Sequence, residues 1–360
     1  MGGMKQDLAE TLTSLQRALA FDYRIVQVPV PDAPIFLAAA LPLSPTVTGL
    51  KPRLPSGRGL SLAQALVSAG AEALELRSSL AQNNRATIAA LPRQNGRAVV
   101  VARDLLSGAA IQVPAQEVYL DFAALRAEVP SCDARSTGCA TAATADEAAR
   151  LALFECIERD AIALWWHGGV VASALPNDLL DAKAPRLAWW LERRPRRFQL
   201  LGLGGDIGLP VVLAVSSDPL GRHVAYGAAA RFDMADAALA AVTEMIQTEV
   251  SFARALAAGN PEAMAWQDHA STLTLAQFDP PHDGPPAAWA GLDDLALLQR
   301  LAALGLCALA VDLSLPGDPL PSLRVLVPGL CDMGGRIDQP RFRQAFGPAG
   351  RPRPHDPEPF

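Results

Sequence analysis

The chain has 360 residues, 50% hydrophobic and 19% charged, the composition of an ordinary globular protein with room for one large domain or two smaller ones. A net charge of −6, with no basic stretch interleaved with aromatics, argues against broad nucleic-acid affinity, which needs a basic patch. No uninterrupted apolar run would span a bilayer, the start MGGMKQDLAETL lacks an apolar signal core, and the 5 cysteines (Cys132, Cys139, Cys156, Cys307, Cys331) show no CxxC or zinc-like spacing, so a reduced cytoplasmic location is expected.

Residues 5–20 read as a short helix with Leu8, Leu12, Leu15 and Leu19 on one side, and 23–30 alternates like a strand. The stretch 31–56 is Pro-rich and loop-like. This segment of about 50 residues is too short for a separate catalytic or peptide-binding domain. SGRG, 56–59, reads as a turn whose glycines let backbone approach a ligand closely. Arg58 within it suits phosphate, and a plain loop is the other reading. A helix follows over 61–79, started by Ser61 and Gln64 in a capping-box pattern and carrying Ser68, Glu72 and Glu75. Residues 97–116 read as two strands around a turn at Ser107 and Gly108.

The segment STGCATAAT, 136–144, is small and flexible. Its backbone amides suit phosphate, or it is simply a tight entry to the next helix. Cys139 lies there with no histidine nearby in sequence, which argues against a nucleophilic role. Thr144 and Glu147 then fit a second capping box, and the run LFECIERD, 153–160, places Glu155 and Glu158 one turn apart with Arg159 and Asp160 after them. Acids in so apolar a run need a partner or a solvated face. Core packing and a solvated rim account for Trp165, Trp166, Trp189 and Trp190, and LGLGGDIG, 201–208, is a turn that fails the GxGxxG pattern. A hairpin over 211–217 and 223–230 leads to a third helix, 233–250, capped by Asp233 and carrying Glu244 and Gln247. Residues 259–292 read as a surface excursion in which His269 and His282 lack ligand-like partners. A helix over 292–305 and a strand over 306–314 follow. In the strand LRVLV, Arg324 stands alone among apolar neighbours and needs an anion or a buried acid. The prolines of the tail, 347–360, forbid helix and suit either an extended polyproline conformation or disorder.

The three helices share a count. Ser61 to Glu72, Thr144 to Glu155 and Asp233 to Glu244 are each 11 residues, and the steps from the same caps to Glu75, Glu158 and Gln247 are each 14. Three polar pairs thus stand at one depth, about three turns from the helix start. Brought together, such carboxylates repel unless cations lie between them. Hard oxygen ligands of this kind suit Mg²⁺ held with nucleotide phosphates.

SGRG with ALVSAGAEALE, STGCATAATADEAARLALFECIERD, AVTEMIQ and LRVLVPGL, in this order, resemble the signatures of the YcaO superfamily over roughly residues 50–346. The resemblance implies an α+β fold with mixed or antiparallel sheets packed against helices. It also implies a catalytic domain over 51–346 between the short leader of 1–50 and the tail. ATP and Mg²⁺ are the implied cofactors. Glu72, Glu75, Glu155, Glu158 and Glu244 would hold Mg²⁺ or its water shell. Arg58, Ser68, Arg159, Gln247 and Arg324 would hold ATP. Arg58 stands where many relatives have lysine, and Leu76 departs from a Glu-x-x-Glu-Arg pattern, since Arg77 comes one residue later. Azoline-forming relatives often end in a proline tail that enters the active site, which makes the Phe360 carboxylate a candidate base. The implied activity is ATP-dependent cyclodehydration of Cys, Ser or Thr in a ribosomal precursor peptide to thiazoline or oxazoline. Thioamidation with a TfuA-type partner and macroamidine formation are the neighbouring chemistries, and a non-catalytic scaffold binding a leader peptide is the alternative of another class. A ubiquitin-activating-enzyme-like or leader-binding partner protein is expected, with homodimerisation open.

Overall fold

The computed structural model describes residues 2–30, 32–50, 53–125, 134–168, 170–278, 291–331 and 340–342. In chain order, helix α1 (Gly2–Ala18) precedes strands β1 (Tyr23–Val28), β2 (Phe36–Pro42) and β3 (Ser56–Gly59) and helix α2 (Leu62–Ser79). Then come α3 (Arg85–Ala89), β4 (Arg93–Gln94), β5 (Arg97–Asp104), β6 (Ala110–Pro114), α4 (Ala115–Val118), β7 (Cys139–Thr141) and α5 (Ala145–Trp166). The chain continues through β8 (Ser173–Leu175), α6 (Pro185–Arg193), β9 (Arg197–Leu203), β10 (Val211–Ser217), β11 (Ala225–Ala230), α7 (Met234–Ala257) and α8 (Pro261–His269). It closes with α9 (Asp294–Ala303), β12 (Leu309–Asp312) and β13 (Ser322–Leu326). Every pairing between these strands is antiparallel, so the expected α+β class holds.

Two compact units divide the chain. One holds Met1–Pro31, Ile35–Leu153 and Cys307–Pro328, and the other Asp32–Pro34, Phe154–Leu306 and Gly329–Phe360. In the first, the sheet β1-β2-β3 packs on α2. Leu15 and Leu19 of the leading segment bury against Tyr23, Ala40, Ala73 and Leu74, as their spacing requires. The loop expected over 31–56 contains the strand β2. β2 is the central strand and reads FLAAALP, apolar at successive positions, so it lacks the alternation that marks a half-buried strand. SGRG is likewise no turn but the edge strand β3. A Cβ at Gly57 would lie 2.2 Å from Ala69 N and 2.3 Å from Ala65 O, so α2 rests directly on the β3 backbone.

The second sheet of this unit runs β4-β5-β12-β13-β7, with β6 on β5. Its core includes Ala102, Val113, Tyr119, Phe122, Leu309 and Val311. Part of the segment expected to be flexible ahead of α5 is strand β7, held to β13 through backbone pairing and a 2.6 Å hydroxyl contact between Thr141 and Ser322. Arg77, one place past the family's position, is tied to the leading segment, donating to Ala18 O at 2.6 Å and pairing with Asp22, and it also pairs with Asp318 between β12 and β13.

The second unit is built on the sheet β11-β10-β9-β8, whose strand β10 is buried throughout. α7 lies on β11 and β10. A Cβ at Gly227 would come within 2.2 Å of Met245 N and 2.6 Å of Glu244 Cβ. Trp165 and Trp166 end α5 in an aromatic cluster with Trp266 and Phe278. Trp266 corrects the reading of 259–292 as surface excursion. It is fully buried, and its indole N–H donates to Val224 O at 2.8 Å. Asn260 caps α8 and Pro261 occupies its first turn, a local start signal that carries the tryptophan inward. His282 and Trp289 lie outside the described residues.

Candidate functional site

The three caps form as their sequences specify. Ser61 and Gln64 exchange both capping-box hydrogen bonds, Thr144 Oγ1 accepts from Glu147 N at 3.2 Å, and Asp233 accepts from Asp236 N at 2.9 Å. The counts of 11 and 14 therefore run along regular helix from equivalent origins.

In the second unit, α5 and α7 bring acids and a base into electrostatic reach. Arg159 lies 3.6 Å from Glu155 and 3.5 Å from Glu158. Glu158 is buried, and burial pushes its carboxyl up to about 8; Arg159 pulls it down, while Glu244 and Glu155 raise it further and Arg231 lowers it. Burial opposes the charge on Arg159, yet Glu158, Glu155 and Glu244 together raise its affinity for its proton. Glu155, Glu158, Arg159 and Glu244 thus stand within electrostatic reach of one another. Gln247 sits half-buried one turn after Glu244 on α7. Arg231, which the sequence reading passed over, belongs to this cluster; its signal was a lone cation at the end of the apolar strand that precedes the Asp233 cap.

Asp160 does something different. Its carboxylate accepts from Arg341 Nε and Nη2, both at 2.6 Å, and from Cys331 N at 2.8 Å. Burial pushes Asp160 up, with Arg341 pulling against it, and the two-pronged contact holds a charged pair. Asp160 anchors α5 and leaves the acidic cluster to its neighbours.

In the first unit, Ser68, Glu72 and Glu75 stand at four- and three-residue steps on one side of α2. Glu72 accepts from Ser56 N on β3 at 3.0 Å. Arg58 lies on β3 opposite Leu37 of β2. Arg324 is buried on β13. Its Nη1 donates to Cys139 Sγ at 3.5 Å, and its Nε finds no acceptor among the described residues. No carboxylate among those residues pairs with it. Phe360 and the proline tail lie outside the described residues.

The YcaO cyclodehydratase model, described as ATP- and Mg²⁺-binding, matches residues 91–331, more than half of the chain. The chain belongs to the YcaO family. A protein of Rhizobium leguminosarum bv. trifolii, named for its position in the tfuA 3′ region, is 27% identical over 269 residues, which are 66% of this chain and 61% of that protein. The structure of a YcaO protein from Methanopyrus kandleri bound with AMPPCP and Mg²⁺ shares 22% identity at a TM-score of 0.68, with 91% of each chain covered. A heterocyclase solved in complex with substrate and cofactor shares 19% identity at a TM-score of 0.72, covering 89% of this chain and 52% of the heterocyclase. This YcaO chain therefore has the heterocyclase fold and spans about half the length of that protein.

ATP and Mg²⁺ are the family's cofactors, and this chain's residues fit them. The orphaned donor of a buried arginine suits a phosphate oxygen. The Glu155–Glu158–Glu244 cluster suits a divalent cation, which would favour the ionised form of Glu158. Among the described residues no group of three or more His, Cys, Asp or Glu is arranged to hold a metal ion by itself.

Proposed function

We propose that this YcaO protein uses ATP and Mg²⁺ to activate backbone amides of a ribosomal precursor peptide, cyclising Cys, Ser or Thr side chains onto the preceding carbonyl to give thiazoline or oxazoline. The observation that carries this reading is the cluster of Glu155, Glu158, Arg159 and Glu244, in which two helices hold carboxylates that a divalent cation would neutralise. Bound Mg–ATP supplies the phosphoryl group that turns the carbonyl oxygen into a leaving group. The chain's own part is positioning and charge neutralisation. Glu155, Glu158 and Glu244 are assigned to Mg²⁺ or its water shell, and Glu72 and Glu75 carry the same assignment. Arg58, Ser68, Arg159, Gln247 and Arg324 are assigned to the nucleotide, and Phe360 of the proline tail to the reaction step. Peptide recognition is assigned to a partner, a ubiquitin-activating-enzyme-like or leader-binding protein, and the setting to the cytoplasm.

The test is a calorimetric titration of ATP with and without Mg²⁺, alongside peptide-dependent ATP hydrolysis. Glu155→Gln is expected to weaken Mg-dependent binding and to cut turnover by roughly a hundredfold or more, the scale of losing a preorganised charge-stabilising group. Unchanged turnover in that variant would sink the site assignment. Binding without any turnover, in the presence of precursor and partner, would favour a scaffold.

Thioamidation is a second reading, favoured by the relative from the tfuA 3′ region. There an external sulfide attacks the activated amide and replaces its oxygen. Mass spectrometry of the product separates the two: cyclodehydration removes one water, whereas thioamidation exchanges oxygen for sulfur.

A further inference from the structure

Arg324 and Cys139 are directly opposite one another in the pairing of β13 with β7, and both are buried. Cross-strand neighbours project on the same side of a sheet, so their side chains meet. Nη1 of Arg324 donates to Sγ of Cys139 at 3.5 Å, the one hydrogen bond of this guanidinium among the described residues. A guanidinium brings five donors and no acceptor, and here Nε is left without a partner. A carboxylate facing Arg324 would satisfy the donors and cancel the charge. A thiol engages one N–H and leaves the charge intact.

We infer that Cys139 is a positioning residue for the nucleotide site: its sulfur holds the Arg324 guanidinium in the orientation that offers the remaining donors to a phosphate of ATP. The inference rests on the assignment of Arg324 to nucleotide phosphate. The competing explanation is packing, because Cys139 also belongs to the apolar core around Leu309 and Val311. The two differ in what must be kept at position 139, an acceptor or a volume.

The experiment titrates Mg–ATP calorimetrically into the full chain and its Cys139→Ser and Cys139→Val variants, with thermal melting as the folding control. Serine keeps an acceptor and valine keeps apolar bulk. Sulfur is a weak acceptor facing a charged donor, so Cys139→Val is expected to raise the Kd for ATP roughly three- to tenfold, with Cys139→Ser within roughly twofold of the native chain. In an Arg324→Lys background, Cys139→Val should weaken binding no further, since the two residues act as one unit. Should valine fail to pack, Cys139→Ala takes its place with the same expectation. Native affinity in Cys139→Val, or a loss that persists beside Arg324→Lys, overturns the positioning role. Arg324→Gln separates the levels: weaker ATP binding there, with Cys139 variants unaffected, removes this inference alone, whereas unchanged binding removes the phosphate assignment beneath it.

Discussion

Glu158 stands in an environment far from its expected chemistry. Its carboxyl, held up to about 8 chiefly by burial, would titrate near 4.5 when exposed. Between those values the folded chain holds a proton that the unfolded chain has released. Stability of the nucleotide-free protein should therefore be fullest below about pH 4.5 as far as this group is concerned, and should fall by up to about 1.4 kcal/mol per pH unit as pH rises towards 8. Urea denaturation across this range measures the slope, and Glu158→Gln should flatten it; an equal slope in that variant would show that another group is responsible. At this scale the sequence was partly legible. Two glutamates one turn apart in an apolar run announced themselves, because an acid in such company needs an explanation. The division of labour within Glu-Arg-Asp was not legible. Arg159 turns to the acids while Asp160 is taken by Arg341, 181 residues away, and no local pattern encodes so distant a partner.

Among the elements, strand and helix meet most closely where a glycine permits it. Gly57 puts β3 against α2, and Gly227 puts β11 against α7 beside Glu244. A methyl at Gly227 has no room, because it would meet backbone on α7 rather than a yielding side chain. Gly227→Ala should destabilise the chain by about 1–3 kcal/mol through overpacking and displace Glu244 from its neighbours. Gly204→Ala, where nothing lies within 4 Å, is the control and should stay within about 0.5 kcal/mol in the same urea titration. Comparable losses at both positions would remove the close approach as the cause. The helices were readable because their start signals are local: a capping serine, threonine or aspartate acts on amides two or three residues ahead. β2 and β3 were not, since a buried central strand shows no alternation and an edge strand with two glycines in four residues looks like a turn. β7 is only three residues long, and its identity as a strand comes entirely from β13, far along the chain.

At the level of the whole molecule, two units each carry a three-strand run leading into a capped helix with its polar pair at the same count from the cap. Among the described residues no helix is long and apolar enough to cross a membrane. The proline tail tests the proposed reaction as distinct from nucleotide binding. Removal of residues 347–360 should abolish peptide-dependent turnover while leaving Mg–ATP affinity within about twofold, because no group assigned to ATP or Mg²⁺ lies there. Full turnover without the tail would clear Phe360 of any catalytic part. The indole cluster at the end of α5 has a consequence of its own. Trp166 lies 5.4 Å from Trp165 and 5.5 Å from Trp266 between ring centroids, at tilted angles near 50°. Indoles so close exchange excitation, so the chain's own ultraviolet absorption carries a signature of how these rings are held. Two turns upstream on the same helix stands Glu158. The helix that carries the acids therefore ends in a chromophore, and any rearrangement of α5 that reaches the rings is written into the spectrum without a label.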